Sequence, residues 1–496
     1  MANLTTLAVD YGASSGRHVA GSFDGRRLDL REIYRFENGP VHAAGRMYWN
    51  LLDQWSQLQN GLTLARQQLG PQIASVGVDT WGVDFALLGR GDELLGSPVH
   101  YRDRRTEGML EAATQRVSRA DIFANSGVQF MPINTLYQLL AMQAQNSPIL
   151  EAAESFLMMP DVFHWLLSGI KGNEYSDATT TQFFDPQRHA WSTELFNRFG
   201  LPTKILQPII EPGTILGPLR KSVAAATSLN ETRVIVPGTH DTASAVLAVP
   251  AQSETGKKPD WCYISSGTWS LMGVELPQPV VTPRCLELNF TNEGGVGRTT
   301  RLLKNIGGLW LVQECRRIWK AAGKDHSWSE LADLAAAAKP LQFIINPDAA
   351  DFLAPDDMPR AIQDYCRKTG QRVPETLGEI IRTALEGLAL KYRQVLGWLE
   401  ELAGSQLATI HIVGGGTNNK LLSQLTADAT QRRVVAGPVE ATAIGNLLMQ
   451  YIALGEIASI RDAREIVRAS FPVEEFTPRG GGAWDEAFAK FVTLPG

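Results

Sequence analysis

The alternation of apolar and polar residues at the start of the chain predicts a β-meander. Residues 4–9, 18–23 and 28–36 have the β-branched, alternating composition of strands. A turn rich in glycine and serine, at residues 10–17, separates the first two runs. The Asp24-Gly25 pair between the last two is typical of a hairpin turn. The pattern therefore predicts three consecutive antiparallel strands.

The same kind of patterning continues along the chain and predicts two α/β halves of similar plan. Helical spacing is found at residues 49–69, 107–118, 134–145, 161–167, 420–429 and 440–454. Strand-like runs are found at residues 73–81, 85–88, 233–236, 261–264, 269–274, 408–413 and 433–436. The unit at residues 261–274 repeats the strand, small-residue turn and strand of the opening. The polar residues 250–260 predict a surface loop beside a domain boundary.

A short corner after the strand at residues 233–236 is the first candidate for chemistry. Pro237 and Gly238 turn the chain, His240 and Asp241 follow, and a helix of small residues begins. Loops between rigid elements often carry reacting groups. The alternative is that Asp241 or Thr242 only caps the helix.

Composition and charge are those of a globular protein and argue against several kinds of binding partner. The chain has 496 residues, of which 44% are apolar and 20% charged, as in ordinary globular proteins. The net charge of −6 argues against nucleic-acid and anionic-membrane partners. Neither a membrane-spanning apolar run nor a secretory signal is visible in the sequence. The four widely spaced cysteines form no metal or redox motif, so we expect buried thiols and a cytoplasmic location.

The two glycine- and serine-rich turns suit phosphate binding, because such turns direct several backbone N–H groups towards one point. The hydroxyls of Ser14, Ser15, Ser266 and Thr268 could add hydrogen bonds, and Arg17 a positive charge. Two tight hairpins without a ligand are the alternative. The sequence has neither a Walker A motif nor G-x-G-x-x-G, so a P-loop or simple dinucleotide fold is not supported.

Three further features allow more than one interpretation. Gly414-Gly415-Gly416 lies where a strand meets a helix, and backbone without side chains can pack against an adenine or ribose. Residues 12–16 match the G-x-S-x-G pattern of hydrolases, but a strand rather than a helix is predicted after the turn, which argues against Ser14 as a nucleophile. Asp10, at a strand end, could hold Mg²⁺ through water or could cap the turn.

Together these motifs resemble the FGGY carbohydrate kinases, which belong to the actin, Hsp70 and sugar-kinase superfamily. The resemblance is carried by Asp10-x-Gly12-x-Ser14-Ser15-x-Arg17, Gly238-x-His240-Asp241, Ser265-Ser266-Gly267-Thr268 and Gly414-Gly415-Gly416. It runs from residue 4 to beyond residue 450. It implies an α/β fold with two ribonuclease H-like (actin-like ATPase) domains and a cleft between them. Residues 1–247 would form the sugar-binding domain and residues 248–496 the nucleotide-binding domain.

Longer stretches resemble the members of this family that phosphorylate L-rhamnulose. They are found at residues 78–85, 178–182, 240–246, 265–273 and 303–306. The implied reaction converts ATP and L-rhamnulose into ADP and L-rhamnulose 1-phosphate, in L-rhamnose catabolism.

The resemblance also implies roles for individual residues. Asp241 would be the general base, and its pKa would not need to be raised. Asp10, with a possible contribution from Asp241, would organise Mg²⁺. The residues in contact with the sugar would be Trp81, Gly82, His240, Asp241, Thr242 and Asn305. Those near ATP would be Ala13, Ser14, Ser15, Gly16, Arg17, Thr268, Gln313 and Gly415.

Some positions depart from the family pattern, and other functions remain open. Many members carry a lysine near residues 160–165, which is absent here, and residues after about 470 match weakly. The alternatives are a kinase for another ketose, such as L-fuculose, L-ribulose or xylulose, and an actin- or Hsp70-like ATPase. We expect a small ketose and ATP as the partners, and a monomer or homodimer.

Overall fold

The computed structural model describes residues 4–252, 258–353 and 355–495. The chain forms two compact units, neither of which is continuous in sequence. Unit 1 contains Met1–Gln252, Glu275–Leu302 and Ala441–Ser470, and unit 2 contains Ser253–Val274, Leu303–Glu440 and Phe471–Gly496. The predicted surface loop at residues 250–260 lies partly outside the described residues, which omit 253–257.

The strands are numbered here in chain order. They are β1 (Leu4–Tyr11), β2 (Ser15–Phe23), β3 (Leu28–Glu37), β4 (Pro40–Ala43), β5 (Arg46–Trp49), β6 (Ser75–Thr80), β7 (Phe85–Leu88), β8 (Ser155–Met158), β9 (Asn173–Glu174), β10 (Phe184–Asp185), β11 (Ala190–Trp191), β12 (Ile209–Ile210), β13 (Ile215–Pro218), β14 (Arg233–Ile235), β15 (Trp261–Ser266), β16 (Trp269–Leu276), β17 (Thr291–Gly294), β18 (Thr300–Gly307), β19 (Thr409–Val413), β20 (Arg433–Ala436) and β21 (Glu474–Phe476).

The α-helices are α1 (Leu51–Leu69), α2 (Met109–Arg116), α3 (Arg119–Ser126), α4 (Thr135–Ala144), α5 (Pro148–Ala152), α6 (Met159–Ser168), α7 (Tyr175–Ala178), α8 (Thr193–Arg198), α9 (Lys221–Thr227), α10 (Asp241–Leu247), α11 (Pro283–Glu287), α12 (Trp310–Ala321), α13 (Trp328–Ala337), α14 (Met358–Lys368), α15 (Leu377–Ala403), α16 (Lys420–Thr430), α17 (Ala441–Ala453), α18 (Ile460–Ser470) and α19 (Gly482–Phe491). Short 3₁₀ helices cover Arg90–Asp92, Arg104–Thr106, Thr179–Thr181, Thr203–Ile205, Val296–Arg298, Ala350–Phe352 and Gly415–Asn418.

The main sheet of unit 1 has the strand order β13-β14-β6-β1-β2-β3. The predicted meander β1-β2-β3 is confirmed, with antiparallel pairing throughout. β1 and β6 are buried and run parallel, as do β6 and β14. Because the carboxyl ends of parallel strands meet at one edge of a sheet, this topology brings the residues that follow β1, β6 and β14 to the same edge.

Unit 2 repeats this plan around a second sheet, in which β16, β15, β19, β20 and β21 are neighbours in that order. β15 and β16 form an antiparallel hairpin, and β15 is parallel to β19, which is parallel to β20. The strand-turn-strand unit predicted at residues 261–274 is therefore confirmed, and so is the strand that leads into the three glycines.

The first predicted helix begins too early. Residues 46–49 form β5, which pairs with β4 in a hairpin that the sequence did not indicate. Trp49 is fully buried as the last residue of β5, and Asn50 caps α1 by accepting from the backbone N–H of Asp53. The apolar residue therefore belongs to the hairpin rather than to the helix.

Two helices of unit 1, α10 and α17, pack closely enough to require a glycine. A Cβ atom at Gly445 would overlap the carbonyl group of Ser244. The next residue of α17, Asn446, donates from its side chain to the Asp79 carboxylate at 2.6 Å and to the Gly77 carbonyl at 3.1 Å. Close contact at Gly445 therefore lets α17 support both α10 and β6.

We expect Gly445→Ala to lower the free energy of unfolding by about 1–3 kcal/mol, because the added methyl group meets backbone that cannot move aside. Gly397→Ala is the matched control, since Gly397 lies exposed within α15 with no atom near its missing Cβ. That change should stabilise the protein by about 0.5–1 kcal/mol through helix propensity. Urea unfolding measures both, and equal effects would contradict the packing argument.

Candidate functional site

The corner between β14 and α10 is fixed beside the end of β6. The backbone N–H of Thr80 donates to the carbonyl of Thr239 at 2.9 Å, and Thr80 forms a parallel bridge with His240. His240 is the N-cap residue of α10 and makes no capping hydrogen bond with its side chain. Asp241 is the first helical residue, so the interpretation that Asp241 or Thr242 is only an N-cap is wrong.

Asp241 carries a half-buried carboxylate at this corner, with 34% of the side chain exposed. Its Oδ1 accepts a hydrogen bond from the Thr242 hydroxyl at 3.1 Å. Burial raises the pKa of Asp241 above its ordinary value, the charge of Asp10 adds to this, and His240 opposes it. The carboxylate is therefore accessible and more basic than an ordinary aspartate.

His240 is held between the carboxylate of its neighbour Asp241 and two charged groups from a distant part of the chain. Its Nε2 lies 3.5 Å from Asp241 Oδ1, and its Nδ1 lies 3.3 Å from Glu293 Oε2. The fully buried Arg301 donates from Nη2 to Nδ1 at 3.1 Å and from Nε to the Gly294 carbonyl at 2.8 Å. The ring is thus fixed in orientation, with Nε2 turned towards Asp241.

His240 and Arg301 also act on Glu293. Burial alone would raise the pKa of this carboxyl, but the neighbouring His240 side chain and the charge of Arg301 bring it below its ordinary value. Glu293 is therefore ionised and compensates the buried guanidinium.

Acidic groups also gather at the ends of β1 and β6. Asp10 pairs with Asp79 in the parallel register and with Arg17 in the hairpin. Arg17 donates from Nε and Nη2 to Asp10 Oδ2, at 2.9 and 2.7 Å. Asp79 is fully buried, and burial, followed by the charges of Asp10 and Asp241, raises its pKa well above the ordinary value. Arg17 therefore compensates Asp10, whereas the raised pKa of Asp79 favours its protonated, uncharged form.

This donor set fits Mg²⁺ only through water. Among the described residues, no group of three or more histidines, cysteines or carboxylates is placed to hold a metal directly. Mg²⁺ usually keeps several water molecules and needs only one or two carboxylates. Asp10, beside the other acids, matches that mode of binding.

The first glycine- and serine-rich turn is held by Asn38. Its backbone N–H donates to the Ser14 carbonyl at 3.1 Å, and its side chain donates to the Gly12 carbonyl at 2.7 Å. Ser14 and its neighbours Ala13 and Ser15 are at least partly accessible. Because β2 begins at Ser15, the strand-turn-helix context of a hydrolase elbow is absent at this turn.

Packing rather than a ligand explains the glycine at position 16. A Cβ atom there would overlap the ring of Phe36, which is buried against the neighbouring strand. A role of Gly16 in phosphate binding is compatible with this contact but is not needed to account for the residue.

Trp81 and Gly82 follow β6 and are also explained largely by packing. Trp81 is 6% exposed, its ring centroid lies 3.9 Å from that of Trp49, and its indole donates to Asp84 at 3.0 Å. A Cβ atom at Gly82 would come within 2.9 Å of Thr180 Cγ2. Contact of either residue with a sugar stays a prediction.

Unit 2 brings three of the predicted nucleotide-site residues to one region. The N–H of Trp310 donates to the Thr268 carbonyl at 3.0 Å, which joins the β15–β16 turn to the start of α12. Gln313 lies in the first turn of that helix. Gly414 and Gly416 pack against Ser266, in the same turn, so the loop of three glycines reaches it as well. Asn305 lies on β18 and is partly accessible.

The middle glycine of this loop differs from its neighbours. Gly414 has a φ of 87°, which favours glycine, and a Cβ atom at Gly416 would overlap the Ser266 side chain. Gly415 is exposed, and nothing lies within 4 Å of its missing Cβ. Packing therefore accounts for two of the glycines and leaves Gly415 open to a ligand.

Sequence reasoning did not find the groups that orient His240. Glu293 and Arg301 lie more than 50 residues away along the chain and match no local motif. The contact of the hydroxyl and acidic residues at 174–181 with the corner is likewise visible only in the fold.

Two family models match most of the chain. The N-terminal domain of the FGGY family of carbohydrate kinases matches residues 5–248, and its C-terminal domain matches residues 262–454. Curated proteins named rhamnulokinase are similar over nearly their whole length. The protein from Bacteroides thetaiotaomicron is 43% identical over 98% of both chains, and that from Bacillus subtilis is 40% identical over 95% of both.

Solved structures share the fold at low sequence identity. A xylulose kinase from Lactobacillus acidophilus has a TM-score of 0.79 at 15% identity, and covers 99% of this chain and 96% of its own. A Plasmodium falciparum glycerol kinase with ADP has a TM-score of 0.74 at 15% identity, and covers 99% and 97%. The predicted two-domain α/β fold is thereby confirmed as the fold of the FGGY sugar kinases. No helix among the described residues is both long and apolar enough to cross a membrane.

Gly16→Ala should destabilise the protein by about 1–3 kcal/mol through overlap with Phe36. In a Phe36→Leu background the added methyl group should cost less than half as much, because the smaller side chain leaves room. Gly267→Ala, in the corresponding turn of unit 2, is the control: its Cβ would lie 3.8 Å from the nearest atom, and it should change stability by less than about 0.5 kcal/mol. Thermal unfolding of the four variants measures the coupling, and its absence would refute the packing explanation.

Proposed function

The chain belongs to the FGGY family of carbohydrate kinases, and from this premise we propose that it transfers the γ-phosphoryl group of ATP to O1 of L-rhamnulose. The products would be L-rhamnulose 1-phosphate and ADP, as a step of L-rhamnose catabolism. The observation that carries this choice of sugar is the full-length similarity to rhamnulokinases. The solved xylulose and glycerol kinases support only the fold.

In this proposal Asp241 is the general base. Its carboxylate is accessible at a rigid corner and has a raised pKa, so it can accept the proton of the O1 hydroxyl as that oxygen bonds to phosphorus. The sequence did not require a raised pKa for Asp241, but burial of its carboxyl group raises that pKa. Phosphoryl transfer depends mainly on positioning and charge stabilisation, so a fixed carboxylate is the appropriate device.

The remaining roles follow the two halves of the chain. We assign sugar binding to residues 1–247 and nucleotide binding to residues 248–496. Trp81, Gly82, His240, Thr242 and Asn305 would contact the sugar. Arg17 and the turn at residues 13–16 would contact phosphates, and Thr268, Gln313 and Gly415 would lie near the nucleotide. The convergence of the last three in unit 2 and the fixed ring of His240 support this assignment.

Asp10 would hold Mg²⁺ through water, and the metal would supply charge neutralisation for the phosphates of ATP. The pairing of Asp10 with a second carboxyl group, Asp79, beside the single Arg17 guanidinium supports a cation there. A cytoplasmic location and a monomeric or homodimeric state stay predictions.

A coupled assay of ADP release with a panel of ketoses and aldoses tests the proposal. We expect the highest kcat/KM with L-rhamnulose and negligible ADP release without a sugar. A higher kcat/KM with L-fuculose, L-ribulose or xylulose would change the sugar that we assign as substrate, but it would leave the assigned reaction, ATP-dependent sugar phosphorylation, unchanged. Turnover of ATP without any sugar would instead favour the actin- or Hsp70-like ATPase.

Asp241→Asn should lower kcat about 10²–10⁴-fold while the sugar and ATP still bind, because the amide cannot accept the proton. Steady-state kinetics and separate ligand titrations measure the two effects. In the wild-type enzyme kcat/KM should fall on acidification at a pH above the ordinary aspartate pKa of about 4, because the raised pKa protonates the base earlier.

Asp333→Asn, an exposed aspartate on α13, is the control for the loss of one negative charge. It should leave kcat and its pH profile unchanged. Near-normal turnover of Asp241→Asn would remove this residue from the role of base.

Gly415→Ala should leave thermal stability unchanged but raise the KM for ATP about tenfold, the equivalent of ~1.4 kcal/mol, because its methyl group would occupy the open face that we assign to the nucleotide. Gly416→Ala is the contrasting variant, and should lose stability through overlap with Ser266. An unchanged KM for ATP in Gly415→Ala would exclude close contact of the nucleotide at this position.

A further inference from the structure

Residues 174–181, with the sequence Glu-Tyr-Ser-Asp-Ala-Thr-Thr-Thr, form a buried polar segment in unit 1, here called the hydroxyl segment. It contains the end of β9, the short helix α7 and the 3₁₀ helix Thr179–Thr181. Buried polar side chains need hydrogen-bond partners, so the partners of this segment indicate what it does.

Glu174 carries a fully buried carboxyl group, which requires several hydrogen-bond donors. No ion pair with a lysine, arginine or histidine involves it within the described part of the chain. Burial raises the pKa of this carboxyl group, and hydrogen-bond donors from Ser176 and Thr239 oppose that shift. Oε2 accepts from the Thr239 hydroxyl at 2.6 Å and from the Thr239 N–H at 3.1 Å. Both oxygens also accept from Ser176, through its N–H at 2.9 Å and its hydroxyl at 2.5 Å.

A relay extends from this carboxylate to the corner that carries Asp241. Having donated to Glu174, the Ser176 hydroxyl accepts from the backbone N–H of His240 at 3.1 Å. The two residues that directly precede Asp241 are therefore both tied to Glu174, one directly and one through Ser176. Hydrogen bonds in a buried, low-dielectric site are stronger than those in water, so this tie is stiff.

The same segment holds two neighbouring loops. The Thr180 hydroxyl accepts from the N–H of Val83, a β-branched residue at a φ of 70°, and donates to the Asp177 carbonyl at 2.8 Å. The Thr179 hydroxyl accepts from the N–H of Gly294 at 2.7 Å, next to Glu293. The loop after β6, the corner before α10 and the strand that carries Glu293 thus share one scaffold.

We infer that Glu174 is a positioning residue of this enzyme, which sets the place of Asp241 through Thr239 and Ser176. The inference rests on the proposed function, because it concerns the geometry of the proposed base. Glu174 is fully buried, so it would touch neither substrate nor the reacting atoms. It acts by keeping the corner within the narrow geometry that proton acceptance requires, where a displacement of about 1 Å can cost about 10²-fold in rate.

The test compares Thr239→Val with Thr239→Ser. Valine keeps the shape of threonine but removes the hydroxyl that donates to Glu174, whereas serine keeps the hydroxyl. We expect Thr239→Val to lower kcat about tenfold or more with L-rhamnulose and ATP, while each KM changes less than about threefold. Thr239→Ser should restore kcat to within about twofold of the wild type.

Thr181→Val is the matched control. Thr181 is a buried threonine of the same segment, but its hydroxyl donates to the Ala178 carbonyl and accepts only from the N–H of Phe183. It should lose thermal stability to a similar extent as Thr239→Val and keep the wild-type kcat. An equal loss of kcat in both would assign the effect to general destabilisation and overturn the inference.

Ser176→Ala provides a second, independent variant if Thr239→Val does not fold. It removes the acceptor of the His240 N–H and should also lower kcat more than KM. Wild-type kcat in folded Thr239→Val or Ser176→Ala, with an active wild-type enzyme, would overturn the inference alone. An inactive wild-type enzyme on every sugar would instead overturn the proposed function, and the inference with it.

Discussion

The parallel pairing of β1 with β6, and of β6 with β14, is the constraint on which the rest of unit 1 depends. Because these strands end at one edge, Asp10, Asp79 and the corner before Asp241 are brought together without any long-range motif in the sequence. Bringing these carboxyl groups together costs electrostatic free energy, because like charges repel one another. Arg17 offsets it at Asp10, and the side chain of Asn446 offsets it at Asp79.

The two other acids at this edge, Asp79 and Asp241, differ in how deeply they are buried. Asp79, which is fully buried, has the strongly raised pKa, whereas Asp241 keeps a third of its side chain exposed. A carboxylate that must accept a proton from a small molecule has to be reachable, and a carboxylate in the interior cannot serve. The fold therefore makes one of these two acids a buried, structural group and leaves the other accessible, and their different environments account for their different pKa shifts.

Elements that are set by residues close together in the sequence could be predicted, whereas those set by contacts between distant residues could not. The β-meander was predicted well because alternation and turn residues are local signals. The first helix was predicted too long because Trp49 fits a helical pattern as well as the strand pairing that it adopts in β5. For residues 310–403, which include the 27-residue helix α15, no elements were predicted.

The candidate site, too, could be predicted only where its residues lie close together in the sequence. Asp241 and His240 lie in a motif that can be read along the chain, but Arg301 reaches His240 from 61 residues away. Glycines were the most ambiguous signal, because the sequence does not distinguish a glycine that makes room for a ligand from one that makes room for a neighbour. Gly16, beneath Phe36, and Gly415, in open space, look alike in the sequence and differ completely in the structure.

In the polar interior of unit 1, the hydrogen bonds that satisfy buried polar groups also fix the loops of the candidate site. A buried carboxylate such as Glu174 weakens a protein unless its donors are fixed, and here the donors belong to the loops that need fixing. An apolar core would bury these loops with less electrostatic cost, but it would not determine the direction of backbone N–H groups. The directionality of hydrogen bonds to a carboxyl acceptor does determine it, and the proposed base Asp241, at the start of the short helix α10, would require that precision.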